Sequence, residues 1–419
     1  MTNLLWPGDQ RGGRLLTDSA VLHAMVDVES AWLSGLAANA LIPSNAADCD
    51  LHTLIDDTDL AALVEAADDG ANPVIPLVVL LRQRAPEPTR RWIHRGLTSQ
   101  DVLDTALMVT MREALRRVRG ELATQLRHLG NLARTHRATA MVGRTLTQPA
   151  IPTTFGVKAA AWLNGVCDAA DVVTQVRTPV QVGGAAGTLA ASVEMATLML
   201  GAADATDVAI RLADFTADTL GLDRRLPWHT VRAPVTSIGD AFVGCTDAWG
   251  RIAADVVTLG RPEIGELAEP AEPGRGGSST MPNKTNPVLS VLLRRTAITA
   301  PPLAATLHTA AGLHNDERAD GAWHAEWDTL RILGRRTVVA ASHTSDLLAG
   351  LSVDTHRMAA NLAATDVSGE QRAIASLLEK PATTTYLGIG DQIIDAALAR
   401  AEFYLTATEL LASTQRSPL

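Results

Sequence analysis

The sequence predicts an all-α protein, and two observations carry that prediction. Of its 419 residues, 47% are hydrophobic but only 3% are aromatic, and alanine is abundant. Such usage favours helices packed through small and aliphatic side chains over a β-sandwich. The second observation is spacing. Leu115, Val118, Leu122, Gln125, Leu129 and Leu132 succeed one another at intervals of three and four, which is the seam of a bundle or coiled coil. The length exceeds what one core serves, so two or three domains are expected.

Individual helices follow from the same periodicity. Leu22, Met25, Val26, Glu29, Leu33 and Leu36 place a first helix at about 17–41, capped by Thr17 or Asp18 and stopped by Pro43. A second helix is expected at about 57–69, ending near Gly70. Leu80 to Trp92 reads as a basic, proline-broken connector with solvated arginines. Thr98 and Asp101 form a capping box ahead of a long helix to about residue 137. Further helices are expected to about 177, over about 187–220, 233–262 and 287–312, and around Ile393, Ile394, Ala397 and Leu398.

Composition also excludes classes of function. The net charge of -10, from 36 Lys+Arg and 46 Asp+Glu, argues against a nucleic-acid footprint. Cys49, Cys167 and Cys245 are odd in number and far apart, so neither a disulfide framework nor zinc spacing is expected, and a cytoplasmic location is. The opening MTNLLWPGDQRGGR lacks an apolar signal core, and no long apolar run suits a membrane. His324-Ala325-Glu326 lacks the Pro-Cys-x-x-Cys partner of zinc deaminases and reads as a capped helix start. Gln181 to Thr188 lacks the spacing of a nucleotide-binding fingerprint and reads as a tight turn or a close helix packing. Arg224, Arg225 and His229 either meet a substrate or are solvated.

The stretch with most chemistry is GGSSTMPNKTNP, from Gly276 to Pro287. Its glycines permit close backbone approach, and its hydroxyls and single ammonium suit an anionic substrate. Read from the residues alone, it is either a mobile binding loop or a polar linker. Ser278 can lose a proton only if backbone N–H groups and a cation such as Lys284 stabilise the charge.

GSSTMPNKTNP resembles the signature loop of the fumarase/aspartase superfamily, GSSxMPxKxNP, at every fixed position. HRGLTSQDVLDT, from His94, and GRTLTQPAIPTTFG, from Gly143, resemble two further segments of that superfamily, in the same order. The runs GGAAGTLA and GAWHAEWDTL resemble its 3-carboxy-cis,cis-muconate cycloisomerase branch. The resemblance implies a central long-helix bundle, with smaller helical domains at 1–97 and 351–419 flanking a central domain at 98–350. It implies a homotetramer with active sites shared between subunits, a small anionic di- or tricarboxylate substrate, and no cofactor or metal. It assigns Ser278 as general base, with Lys284 and Asn286 stabilising developing charge. His94, Thr98, Ser99, Thr145, Gln148, Ser279, Met281 and Arg318 become substrate-binding candidates. Thr98 and Ser99 also open a long helix, whose free N–H groups favour an anion.

One departure is informative. Lyases of the superfamily that expel amines carry a histidine after the Arg-Thr pair of the second segment; here the position is Leu146. A carboxylate, with a pKa of ~4, leaves without being protonated, whereas an amine needs a proton. The resemblance therefore implies a cycloisomerase acting on 3-carboxy-cis,cis-muconate. A lyase releasing fumarate from a succinate with a good leaving group, such as nitrosuccinate, is the alternative. Adenylosuccinate- and argininosuccinate-type lyases fit less well, and intact Ser278, Lys284 and Asn286 argue against a purely structural relative.

Overall fold

The computed structural model describes residues 3–278, 280–281 and 284–414. Ser279, of the candidates above, lies outside the described residues. The chain is all-α in architecture, with two short antiparallel ladders among the described residues. It divides into two compact units, each assembled from three stretches: 1–116, 176–240 and 302–336 in the first, and 117–175, 241–301 and 337–419 in the second.

The first unit begins with α1 (Asp18–Ala38), whose start is capped by Thr17 accepting from the Ala20 N–H at 3.2 Å. The apolar stripe read from the sequence is its buried face: Leu22, Met25, Val26, Leu33 and Leu36 are all under 5% exposed. Helices α2 (Leu60–Gly70), α3 (Val74–Arg84) and α4 (Thr89–Trp92) follow. The expected connector at 80–92 is thus helical for its first five residues, because Val74, Leu77, Val78 and Leu81 hold one face of α3 in the core. Its arginines are tied to the chain as well as wetted. Arg82 donates to the Ile93 carbonyl at 2.7 Å, and Arg84 grips Asp59 at 2.7 Å.

Helix α5 (Ser99–Thr135) is 37 residues long, and the predicted seam is buried from Leu115 to Leu129. In the second unit, the amide of Gln125 on α5 bonds the Ala341 carbonyl at 3.0 Å and the Trp249 indole at 2.8 Å, so a polar residue in the seam is fully satisfied. A β-hairpin then intervenes, β1 (Ala140–Thr145) with β2 (Gln148–Thr154), which the sequence reading missed. Two-residue hairpins are normally announced by Asn-Gly or Asp-Gly. Here the corner is Leu146-Thr147, both at positive φ (47° and 71°), so the usual signal is absent. A register shift between Val142 and Arg144 brings Gly143 so near the opposite strand that a Cβ would lie 2.7 Å from the Ile151 carbonyl oxygen. Helix α6 (Phe155–Gln175) completes this part.

The expected helix at 187–220 is two helices, α7 (Ala190–Leu200) and α8 (Ala205–Leu220), broken at Gly201 with φ 98°. Helix α9 (Ala233–Leu259) leads to the short strand β3 (Leu267–Ala268), then α10 (Val288–Gly312) and α11 (Ala322–Ala349). Strand β4 (Ser352–Val353) pairs with β3, and α12 (Thr355–Ala363), α13 (Gly369–Leu377) and α14 (Gly390–Thr414) end the chain, with α14 packed on α6.

Candidate active site

Within the first unit, the start of α5 collects four of the candidates. Asp101 reaches back to the Thr98 N–H at 3.0 Å, which is half of the expected capping box. The Thr98 hydroxyl serves Arg318 instead, accepting from the guanidinium at 2.6 Å. Arg318 also donates to the Gln100 side-chain oxygen at 3.3 Å and remains exposed. An exposed guanidinium beside the free N–H groups of a long helix has the chemistry that suits a carboxylate. Ser99, the first residue of α5, is half-buried there. His94 pairs through Nδ1 with Glu29 at 2.6 Å.

Beneath this surface lies a polar layer that the motifs did not reveal. Asp101, fully buried, accepts from the N–H groups of Gly183 (2.8 Å) and Gly184 (2.9 Å) and from the Gln181 amide (3.3 Å). The glycine cluster is therefore a tight turn clamped onto α5. Gln181 also faces His229 Nδ1 at 2.9 Å. His229 is buried, whereas Arg224 pairs with Asp218 on the surface. Burial, and then the neighbouring Arg318, hold the His229 imidazole below its ordinary value. Deeper still, Arg232 bridges Asp104 (2.8 Å) and Glu326 (2.6 Å), with all three side chains at most 1% exposed. Glu326 is thus part of a buried ion cluster and not of a helix cap.

Burial pushes the Asp101 carboxyl up to about 7, against the four N–H groups that pull it down. A carboxyl raised in the folded state contributes its stability in full below the unfolded value, ~3.9, and loses it as pH rises through the folded value. Wild-type stability is therefore expected to decline from about pH 4 to pH 7 more steeply than that of Asp101→Asn, which does not titrate. Urea midpoints at several pH values check this, and parallel profiles would contradict it.

The second unit carries the other candidates. Thr145 and Gln148 flank the hairpin corner and are exposed, and Leu146 between them is 96% exposed. The hairpin is anchored by Arg144, which grips the buried Glu266 at 2.9 and 3.0 Å, while Asn361 donates to the same carboxylate at 2.8 Å. The Ser278 loop is closed at its base. Gly276 accepts from the Asn286 backbone N–H at 2.8 Å and from its side-chain amide at 3.1 Å. Glu269 caps α10 through the N–H groups of Leu289 and Ser290, at 2.9 and 2.7 Å. Ser278 Oγ accepts from the backbone N–H of Met281 at 3.2 Å and of Thr280 at 3.4 Å. Those donors favour a negative charge on that oxygen. Lys284 is exposed, as is Met281, and Asn286 uses its amide on the loop itself.

Gly276 sits at φ 76°, and a Cβ there would lie 2.7 Å from the Asn286 carbonyl oxygen. Gly276→Ala is therefore expected to cost about 1–3 kcal/mol locally, opening the loop base and lowering turnover with little change in global unfolding. Unaltered turnover would contradict this.

Among the described residues no cluster of side chains suits a metal ion, and no helix is long and apolar enough to cross a membrane. A family described as Lyase matches residues 70–300. A nitrosuccinate lyase of Streptomyces davaonensis is 44% identical over 85% of this chain and 75% of its own length. The chain belongs to the fumarase/aspartase superfamily. A second superfamily relative, the 3-carboxy-cis,cis-muconate cycloisomerase of Bradyrhizobium diazoefficiens, is 39% identical over 83% of this chain and 76% of its own. Among solved structures, the 3-carboxy-cis,cis-muconate lactonizing enzyme of Pseudomonas putida superposes with a TM-score of 0.81 at 28% identity, covering 94% of this chain and 97% of that one. The protein is accordingly an enzyme of the lyase and cycloisomerase kind, with the all-α fold of its superfamily.

Proposed function

We propose that this enzyme catalyses elimination from, or addition to, a small di- or tricarboxylate whose leaving group departs as a stable anion. The observation that carries the reading is Leu146. At the tip of the hairpin, where superfamily lyases that expel amines place a histidine, this chain presents a side chain that cannot donate a proton. The similarity to a nitrosuccinate lyase, at 44% identity, puts nitrosuccinate first among substrates. The cycloisomerase reaction is the second reading, favoured by the relative at 39% and by the structural likeness to the lactonizing enzyme.

In the proposed step, Ser278 removes a proton from the carbon next to a substrate carboxylate. The electron pair of that C–H bond forms the C=C bond through an aci-carboxylate. The C–N bond of nitrosuccinate breaks, and nitrite leaves with its electron pair beside fumarate. In the cycloisomerase reading a substrate carboxylate oxygen adds to a C=C bond, the aci-carboxylate so formed takes a proton from Ser278 at the adjacent carbon, and lactone opening runs the same steps in reverse. Lys284 and the loop N–H groups stabilise the charge that develops. Thr98, Ser99, Thr145, Gln148 and Arg318 hold carboxylates, and no cofactor is required. The active enzyme is a homotetramer in the cytoplasm, with sites completed between subunits. The exposed Val291 and Ile298, two turns apart on α10, support burial of that face by another copy.

Purified enzyme with nitrosuccinate is expected to release nitrite and fumarate one to one, at about 1 s⁻¹ or faster. Loss of the diene absorbance of 3-carboxy-cis,cis-muconate with no release of nitrite would establish the second reading. Inertness toward both would overturn the proposal.

A further inference from the structure

The core-facing stripe of α1 contains one residue that does not belong there. Glu29 falls in register with Met25, Leu33 and Leu36 and is 1% exposed. A buried carboxylate is costly unless it is paired. Both of its oxygens are taken by one residue: Oε1 lies 2.6 Å from His94 Nδ1, and Oε2 accepts the His94 backbone N–H at 3.1 Å. One turn along the same face of α1, the Trp32 indole donates to the Arg95 carbonyl at 2.7 Å, and its ring closes on Gly96. Helix α1 thus holds three consecutive residues, 94–96, just before Thr98 and the start of α5.

Holding that turn needs no charge, because neutral groups such as the Trp32 indole suffice for a backbone. The carboxylate adds control of a side chain. His94 is at φ 61°, an uncommon conformation for any residue but glycine, and Glu29 fixes both its main chain and its ring. Because the carboxylate accepts at Nδ1, that nitrogen carries a proton, and Nε2 alone is left to meet a ligand. The ring keeps 17% of its side-chain surface exposed.

We propose that Glu29 is a positioning residue that acts through His94, presenting Nε2–H to a carboxylate of the substrate at the entrance to α5. Glu29 and the substrate carboxylate then flank the His94 ring from its two nitrogens, each accepting one N–H. The inference rests on reading residues 94–101 as a carboxylate site.

The test is calorimetric titration of the intact enzyme with fumarate and with tricarballylate. Glu29→Gln keeps the size of the side chain, removes its charge and leaves one acceptor for two N–H groups. It is expected to weaken binding of the tighter probe about tenfold, with kcat changed less than about twofold. His94→Gln is expected to weaken binding to a similar extent. The double variant should bind no worse than His94→Gln alone, since Glu29 acts only through that ring. Additive losses, or wild-type affinity in Glu29→Gln, would overturn the role of Glu29. Loss in neither single variant would remove His94, and with it Glu29, from the carboxylate site, and no wild-type binding of either probe would overturn the reading of residues 94–101 as well. Should Glu29→Gln fail to fold, Glu29→Asp keeps the charge but withdraws it by a methylene. It must then show weakened binding that vanishes in the His94→Gln background.

Discussion

Ser278→Ala is expected to lower kcat by about 10²–10⁴-fold, the range that a positioned base contributes, with fumarate affinity and helical content preserved. The oxygen that is lost accepts two backbone N–H groups, from Met281 and Thr280, and is half-buried in a loop whose base is pinned elsewhere. Gly276 with Asn286, and Glu269 with the start of α10, keep the loop closed without the serine. The variant should therefore remove the proton acceptor and leave its surroundings in place. Steady-state kinetics with circular dichroism separates these outcomes. Turnover near the wild-type rate in a folded Ser278→Ala enzyme would exclude this serine as the base.

The largest effect on stability is expected at Arg232. Its guanidinium, 0% exposed, is the shared cation between Asp104 and Glu326, and it lies 4.6 Å over the Trp228 ring. Trp323 donates to Asp104 at 2.9 Å, and the His314 ring approaches Glu326 at 3.3 Å. Burial opposes the charge on Arg232, yet the two carboxylates hold its guanidinium above the ordinary value. Arg232→Met leaves two buried carboxylates without their cation, a change that costs about 3–5 kcal/mol. Arg232→Lys retains the charge but cannot span both carboxylates with a planar fork, so it should fall between. Urea unfolding should show the order wild type, Lys variant, Met variant, with the first unit losing structure earliest. A Met variant as stable as the wild type would mean that the cluster contributes nothing net.

The helices were legible where periodicity reports burial. The stripe of α1 and the seam of α5 could be read almost residue by residue, since each apolar side chain at the three-four interval except the half-buried Leu132 found the core. The hairpin at 140–154 was not legible, because its corner uses Leu146 and Thr147 at positive φ without the residues that normally mark such a turn. At the site, the motif residues were visible as a pattern, and Thr98 and Arg318, 220 positions apart, do meet. Their supports were not visible. Asp101 was read as a cap, and its grip on Gly183 and Gly184 depends on a contact across 82 residues that no local pattern encodes. The pattern marks Asn286 as a residue that stabilises developing charge, and it does not reveal that its amide also closes the loop base. A charge inside an apolar stripe, Glu29, is the sequence signal that points to a buried partner, which the structure shows to be His94.

The central claim concerns the leaving group, and competing substrates test it most directly. The enzyme would be given nitrosuccinate, 3-carboxy-cis,cis-muconate, aspartate and adenylosuccinate in parallel, and kcat/KM compared. Turnover is expected only with the first two: nitrite leaves nitrosuccinate as a stable anion, and the carboxylate that adds within the muconate is the stable anion expelled when the lactone reopens, so neither needs a proton donor at Leu146. Efficient release of fumarate from either amine-bearing substrate would contradict it.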